Sequence, residues 1–124
     1  AEGVERTRVW QAGELLAVQL LVKQGWTIVE RNWRCSLGEV DIIAHTPEPD
    51  SVLVFCEVKC RSGLGFGDPL EAITWQKLRK LRQLALTWLG EQPQWVPRYR
   101  LDAIGVLLPR GGRPQVSHVQ GVGE

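Results

Sequence analysis

The chain has no methionine, one tyrosine, two phenylalanines and two histidines. No apolar run approaches the roughly 18 residues of a membrane span, so no membrane partner is expected. Without methionine, the initiator is expected to have been removed, or the numbering to start inside a longer chain. The opening Ala1-Glu2-Gly3-Val4-Glu5 lacks the basic and apolar regions of a signal peptide, which points to a cytoplasmic location. Cysteine is sparse and odd in number: Cys35, Cys56 and Cys60 fit neither a disulfide framework nor a zinc knuckle. Small buried hydrophobes in a reducing compartment are the expected role. His45 and His118 stand alone, with no partner spacing. There is no repeat, low-complexity tract or linker, and one domain is expected over residues 1–124.

Charge is balanced overall, at a net +1. Its distribution is not. Arg31, Arg34, Lys59, Arg61, Lys77, Arg79, Lys80, Arg82, Arg98 and Arg100 fall in the middle and later chain, which suits a local basic surface.

The apolar pattern predicts a helix from about Thr7 to Gln24, with Val9, Gly13, Leu16, Ala17 and Leu20 on one stripe and Gly25 as cap. The small residues at 13 and 17 allow close packing on a sheet. Strands are predicted over Trp26–Arg34, Glu39–His45 and Ser51–Cys60, the last two forming a hairpin across the proline-containing turn at 47–50. Val52-Leu53-Val54-Phe55 is apolar on both faces, the mark of a central strand. Asp68-Pro69-Leu70-Glu71 reads as a helix start, with the helix running to Leu89. Arg98–Leu108 and Gln115–Val122 are the last strands. The order α-β-β-β-α-β, with a further edge strand, predicts an α/β fold with a mixed sheet.

Two of these strands carry acids where buried strands avoid them. Asp41 sits in Gly38-Glu39-Val40-Asp41-Ile42-Ile43. Glu57 follows sixteen residues later in Phe55-Cys56-Glu57-Val58-Lys59. Residues i and i+2 of a strand share a face, so Glu57 and Lys59 lie together, opposite Cys56 and Cys60. A divalent cation between Asp41 and Glu57 would hold both ionised, with the Val58 carbonyl as a further ligand; Mg²⁺ or Mn²⁺ suits such oxygens. Lys59 is then placed to orient a water or stabilise a phosphoryl transition state. A plain cross-strand salt bridge is the structural alternative. Glu14, at the margin of the first helix's stripe, is either a further acidic ligand or a solvated helix-edge residue. Lys77 falls within the second helix's predicted stripe of Leu70, Ile73, Leu81, Leu84, Ala85 and Trp88, and calls for an anion nearby. Arg31 and Arg34 touch phosphate or pair with Asp102. Phe66, in the loop at 61–67, is available to stack on a base.

Gly38-Glu39-Val40-Asp41 followed by Glu57-Val58-Lys59 resembles the PD-(D/E)xK nuclease signature, with Glu14 matching the acid that many members carry on the first helix. More narrowly, the chain resembles the YraN-like family of small bacterial proteins. The match runs through Gly13-Glu14, Arg31-Asn32-x-Arg34, Gly38 to Ile43, Phe55 to Arg61, Phe66-Gly67-x-Pro69, Lys77 and Arg100-Leu101-Asp102. Cys56 stands where that family usually has valine, and Val40 replaces the proline of the signature. The resemblance implies a three-layer, restriction endonuclease-like core, αβββαβ, similar to Holliday-junction resolvases. It implies a Mg²⁺- or Mn²⁺-dependent endonuclease: Asp41, Glu57 and the Val58 carbonyl at the metal, Glu14 as accessory acid, Lys59 as catalytic lysine. Arg34, Arg61, Lys77 and Lys80 are the expected nucleic-acid contacts. Branched or structured DNA is the expected substrate, and junction cleavage would call for a homodimer. The rival is a non-catalytic nucleic-acid-binding protein that retains the fold.

Overall fold

A computed structural model describes residues 2–63 and 68–123, with side chains from Thr7 onward. Helix α1 (Glu2–Lys23) leads into β1 (Thr27–Cys35), β2 (Gly38–His45) and β3 (Leu53–Arg61). Helix α2 (Trp75–Gly90) then crosses to β4 (Tyr99–Leu107), and β5 (Gln115–Val119) follows. The strands form one sheet in the order β1-β2-β3-β4-β5. Only β3 and β4 run parallel; the other neighbours are antiparallel. The sheet is therefore mixed, and β3 sits at its centre, as its two apolar faces predict.

Alternation along the strands separates two cores. Ile42, Ala44, Val54, Cys56, Val58, Ile104 and Val106 pack with Ala17 and Leu21 of α1. Ile43, Leu53, Phe55 and Leu101 pack with Leu81, Leu84, Ala85 and Trp88 of α2. The two helices thus cover opposite faces. Helix α1 lies so close to β3 that a Cβ at Gly13 would collide with Cys60 Sγ. Among the described residues, no helix is long and apolar enough to cross a membrane.

The structure departs from the predicted helix at Asp68–Leu89. The start signals are met: Asp68 Oδ1 accepts from the Leu70 N–H at 2.9 Å, and Pro69 opens the turn. But the turn is a single 3₁₀ piece, Pro69–Ala72. Ile73 and Thr74 are extended, and Thr74 Oγ1 accepts from the Lys77 N–H at 3.3 Å to cap a separate helix. Both residues are β-branched, and a capping hydroxyl competes with continuation of the helix. Leu70 and Ile73 consequently leave the α2 stripe. Lys77, predicted within that stripe, lies exposed in the first turn of α2. The last strand is also shorter than predicted, ending at Val119, because the chain turns back there. Gly121 N–H donates to Asp102 Oδ1 at 3.1 Å and Val122 N–H to the Leu101 carbonyl at 2.8 Å.

Candidate functional site

Strands β2 and β3 pair from His45↔Leu53 to Ile42↔Cys56, and there the ladder stops. Continuing the register would set Asp41 against Glu57. Instead, Asp41 Oδ2 accepts the Val58 N–H at 2.7 Å, so a side chain takes the place of the backbone partner. Beyond this point β2 stays with β1, pairing Val40 with Trp33 and Glu39 with Arg34. Val40 packs toward α2, beside Leu81 and Leu84. The two strands fork, and Asp41 is the wedge.

Asp41 is only 7% exposed. Burial pushes its carboxyl up to about 7; the Val58 N–H opposes this, while Glu57, Glu39 and Glu14 add to it. In a strand the N–H and C=O of one residue face the same neighbour. The Val58 carbonyl therefore faces the same gap.

Glu57 and Lys59 stand side by side on the sheet, Oε1 to Nζ 3.6 Å, with side chains 20% and 24% exposed. Lys77 reaches over from α2 and meets Lys59. That contact, then burial, lowers the Lys77 pKa, with Glu57 opposing. Two ammonium groups thus stand near one carboxylate, Glu57, at the mouth of the fork.

Glu14 is not a solvated helix-edge residue: it is 1% exposed. Its Oε1 accepts from Arg31 Nε at 3.3 Å, with Arg31 Nη2 also at 3.3 Å. Burial raises its pKa, while Arg31 and a hydrogen bond from the Asn32 side chain oppose the rise. Asn32 has a left-handed backbone, φ 54°, which asparagine tolerates better than most residues. Arg34 pairs with Glu39 across the β1–β2 turn. The Lys80 stem lies over Gly38 of the same turn. Arg61 Nη1 donates to the Cys60 carbonyl at 3.2 Å. The fold thus gathers Asp41, Glu57, Val58, Lys59 and Lys77 at one point. Glu14 sits behind them, and Arg34 and Lys80 line the β1–β2 rim. Phe66 lies outside the described residues.

A second polar cluster was missed in the sequence. Asp102, fully buried, accepts from Arg100 Nε at 2.8 Å and Nη2 at 3.0 Å, and its Oδ2 lies 2.7 Å from His118 Nε2. Burial works to raise the Asp102 pKa, but the bonds from His118, Arg100 and Gly121 outweigh it and hold the carboxyl below its ordinary value. Asp102 therefore pairs with Arg100 and His118, not with Arg31 or Arg34, and His118 is not isolated. The Arg-x-Asp spacing, two residues on one strand face, was the readable signal. His118 comes from β5, and only the folded sheet places it there. Its ring packs edge-on against Trp26, centroids 5.4 Å apart, and Arg100 lies 5.7 Å over that ring. This cluster ties β4 to β5 level with the fork and two strands across, Asp102 pairing with Cys56 and His118 with Ile104, the partner of Val58.

A mixed sheet between two helices, forked at a buried aspartate beside a Glu-x-Lys pair, defines an α/β protein with an acid–lysine site at a strand end. The profile of "Uncharacterised protein family UPF0102" matches residues 13–106, a span that includes Glu14, Asp41, Glu57, Lys59 and Lys77. The UPF0102 protein of Clavibacter michiganensis is 49% identical over 108 residues, covering 87% of this chain and 89% of its own. That of a Nocardioides species is 45% identical over 111 residues (90% and 87%), and that of Mycobacterium avium 43% over 118 residues (95% and 91%). The chain belongs to the UPF0102 family, the YraN-like family that its motifs resemble.

Proposed function

We propose that the chain is a metal-dependent endonuclease of restriction endonuclease-like fold, hydrolysing phosphodiesters in branched or structured DNA. The observation that carries this is the fork, where a buried carboxylate wedge, a second carboxylate and a strand carbonyl converge next to two lysines.

The donors fit a hard divalent cation. Among the described residues, no three Asp, Glu, His or Cys side chains group tightly enough to enclose a metal. Mg²⁺ does not need such a cage: it commonly takes one or two carboxylates and completes its shell with waters and substrate phosphate oxygens. Asp41, Glu57 and the Val58 carbonyl would hold Mg²⁺ or Mn²⁺, with Glu14 as the acid behind them. When bound, the cation lowers the pKa of a coordinated water and neutralises phosphate charge.

The chain's own residues do the remaining work. Lys59, one strand step from Glu57 on the same face, orients the attacking water and stabilises charge on the phosphoryl oxygens. Lys77 doubles the positive charge at that position. Arg34, Arg61 and Lys80 take flanking phosphates. The Glu14–Arg31–Asn32 contacts fix α1 against β1 and so hold the floor of the site. Symmetric cleavage of a junction would use a homodimer, and cytoplasmic DNA would be its target.

The competing reading is a nucleic-acid-binding protein without catalysis, favoured by the Glu57–Lys59 ion pair, which satisfies both groups without a metal. A panel of plasmid, single-strand, flap and four-way-junction substrates with Mn²⁺ separates the two. Wild type is expected to cut at least one branched substrate. Glu57→Ala should abolish cutting, and Lys59→Ala should slow it on the order of 100-fold or more. Equal cutting by Glu57→Ala and wild type would mark a contaminant and remove the enzyme reading. Salt-sensitive binding without cutting would favour the rival.

A further inference from the structure

The turn between β4 and β5 lies at the same end of the sheet as the fork. Strands β3 and β4 are parallel, with Lys59 beside Gly105 and Arg61 beside Leu107. Leu108 N–H donates to the Arg61 carbonyl at 2.8 Å, so the chain leaves the sheet just past Arg61. Pro109-Arg110-Gly111-Gly112-Arg113-Pro114 then reverses it into β5, where Gln115 pairs with Leu107.

This turn is pre-shaped. Gly112 N–H donates to the Pro109 carbonyl at 3.3 Å, and Gly111 between them has φ +69°, as the third position of a type II turn requires. Prolines at 109 and 114 restrict the chain on both sides. Arg110 and Arg113 are exposed and make no ion pair among the described residues. Arg31, Arg34 and Arg100 each have a carboxylate partner. Residues 103–123 contain no aspartate or glutamate, and the preceding Asp102 is enclosed by its own partners. The turn therefore presents two unopposed guanidinium groups.

Leu107 lies two residues beyond Gly105, roughly 7 Å along the strand at about 3.3 Å per residue, and the turn that carries Arg110 and Arg113 projects past it. We propose that the β4–β5 turn is a phosphate clamp, in which Arg110 and Arg113 grip the backbone of the duplex arm leaving the fork, beyond the phosphate at Lys59. The identity of the polymer rests on the nuclease reading; the clamp's place and charge rest on the sheet.

The test is the salt dependence of binding to a branched DNA with a long duplex arm, in EDTA so that nothing is cut. For Arg110→Ala/Arg113→Ala, the slope of log K against log salt should flatten by about 1.8, roughly 0.9 for each lost phosphate contact on B-DNA. Arg110→Gln/Arg113→Gln should show the same loss, and Arg110→Lys/Arg113→Lys should restore the slope. Removing the duplex arm altogether should make wild type behave like the double variant. If wild type binds with a steep slope and the alanine variant matches it, the clamp is wrong and the nuclease reading stands. If wild type binds no DNA at any salt, both are wrong.

Discussion

Asp41 is held where ionisation is unfavourable, and its titration has a sign that can be measured. Its folded pKa of about 7 lies above the ordinary 3.8. Between those values the folded chain keeps a proton that the unfolded chain has released. The stability of the metal-free protein should therefore fall as pH rises from about 4 to about 7, by at most about 4 kcal/mol, and then level off. Asp41→Asn, which keeps an acceptor for the Val58 N–H, should lose most of this drift. In EDTA its urea midpoint should exceed that of wild type at pH 8 and converge with it near pH 4; parallel curves would refute the burial account. Asp102 runs the other way. Its lowered pKa supplies stability present above the ordinary carboxylate range and lost as pH falls below it. At this scale much was readable: acids among apolar neighbours announced Asp41, and strand alternation put Glu57 beside Lys59. The side-chain wedge at Val58 was not readable, because apolar patterning carries no signal that a ladder will open.

Elements are placed by close approach and by caps. Helix α1 rests on β3 through Gly13 and Cys60. Gly13→Ala should destabilise the fold by about 1–3 kcal/mol through overpacking. Adding Cys60→Ala should recover much of that loss, giving a strongly non-additive double-mutant cycle in urea unfolding. Additive effects would mean that the contact is not what holds the helix. The small residue at 13 did signal this packing in the sequence, and the central place of β3 followed from its two-faced apolar run. The split of the second helix was hidden. Asp68 and Pro69 announce a helix start correctly, but Leu70 and Ile73 continue the apolar spacing of Leu81 and Leu84 and mask the break. The remaining local clue was the β-branched pair Ile73-Thr74. The split sets Lys77 in the first turn of α2, near Lys59.

Across the whole molecule, the exposed basic groups of β3, α2 and the β4–β5 turn lie from the fork outward toward one end of the sheet. The parallel β3–β4 crossover sends the end of β3, the start of α2 and the β4–β5 turn to the same side. Arg61 and the Arg110–Arg113 turn lie beyond the fork toward that end, while Asp102 and His118 lock β4 to β5 level with the fork. The α-β-β-β-α-β order was legible in the apolar periods. The meeting of Asp41, Glu57 and Lys59 was legible in the strand patterns themselves, whereas no residue-level pattern marks the Arg110–Arg113 turn as lying beyond them. The central claim is that the fork binds a divalent cation through Asp41 and Glu57. Titration calorimetry of Mn²⁺ into wild type, Asp41→Asn and Glu57→Gln near neutral pH tests it most directly. The account predicts saturable binding by wild type and its loss in both variants, each still folded by circular dichroism. Undiminished Mn²⁺ binding by both variants, or none by wild type, would contradict it.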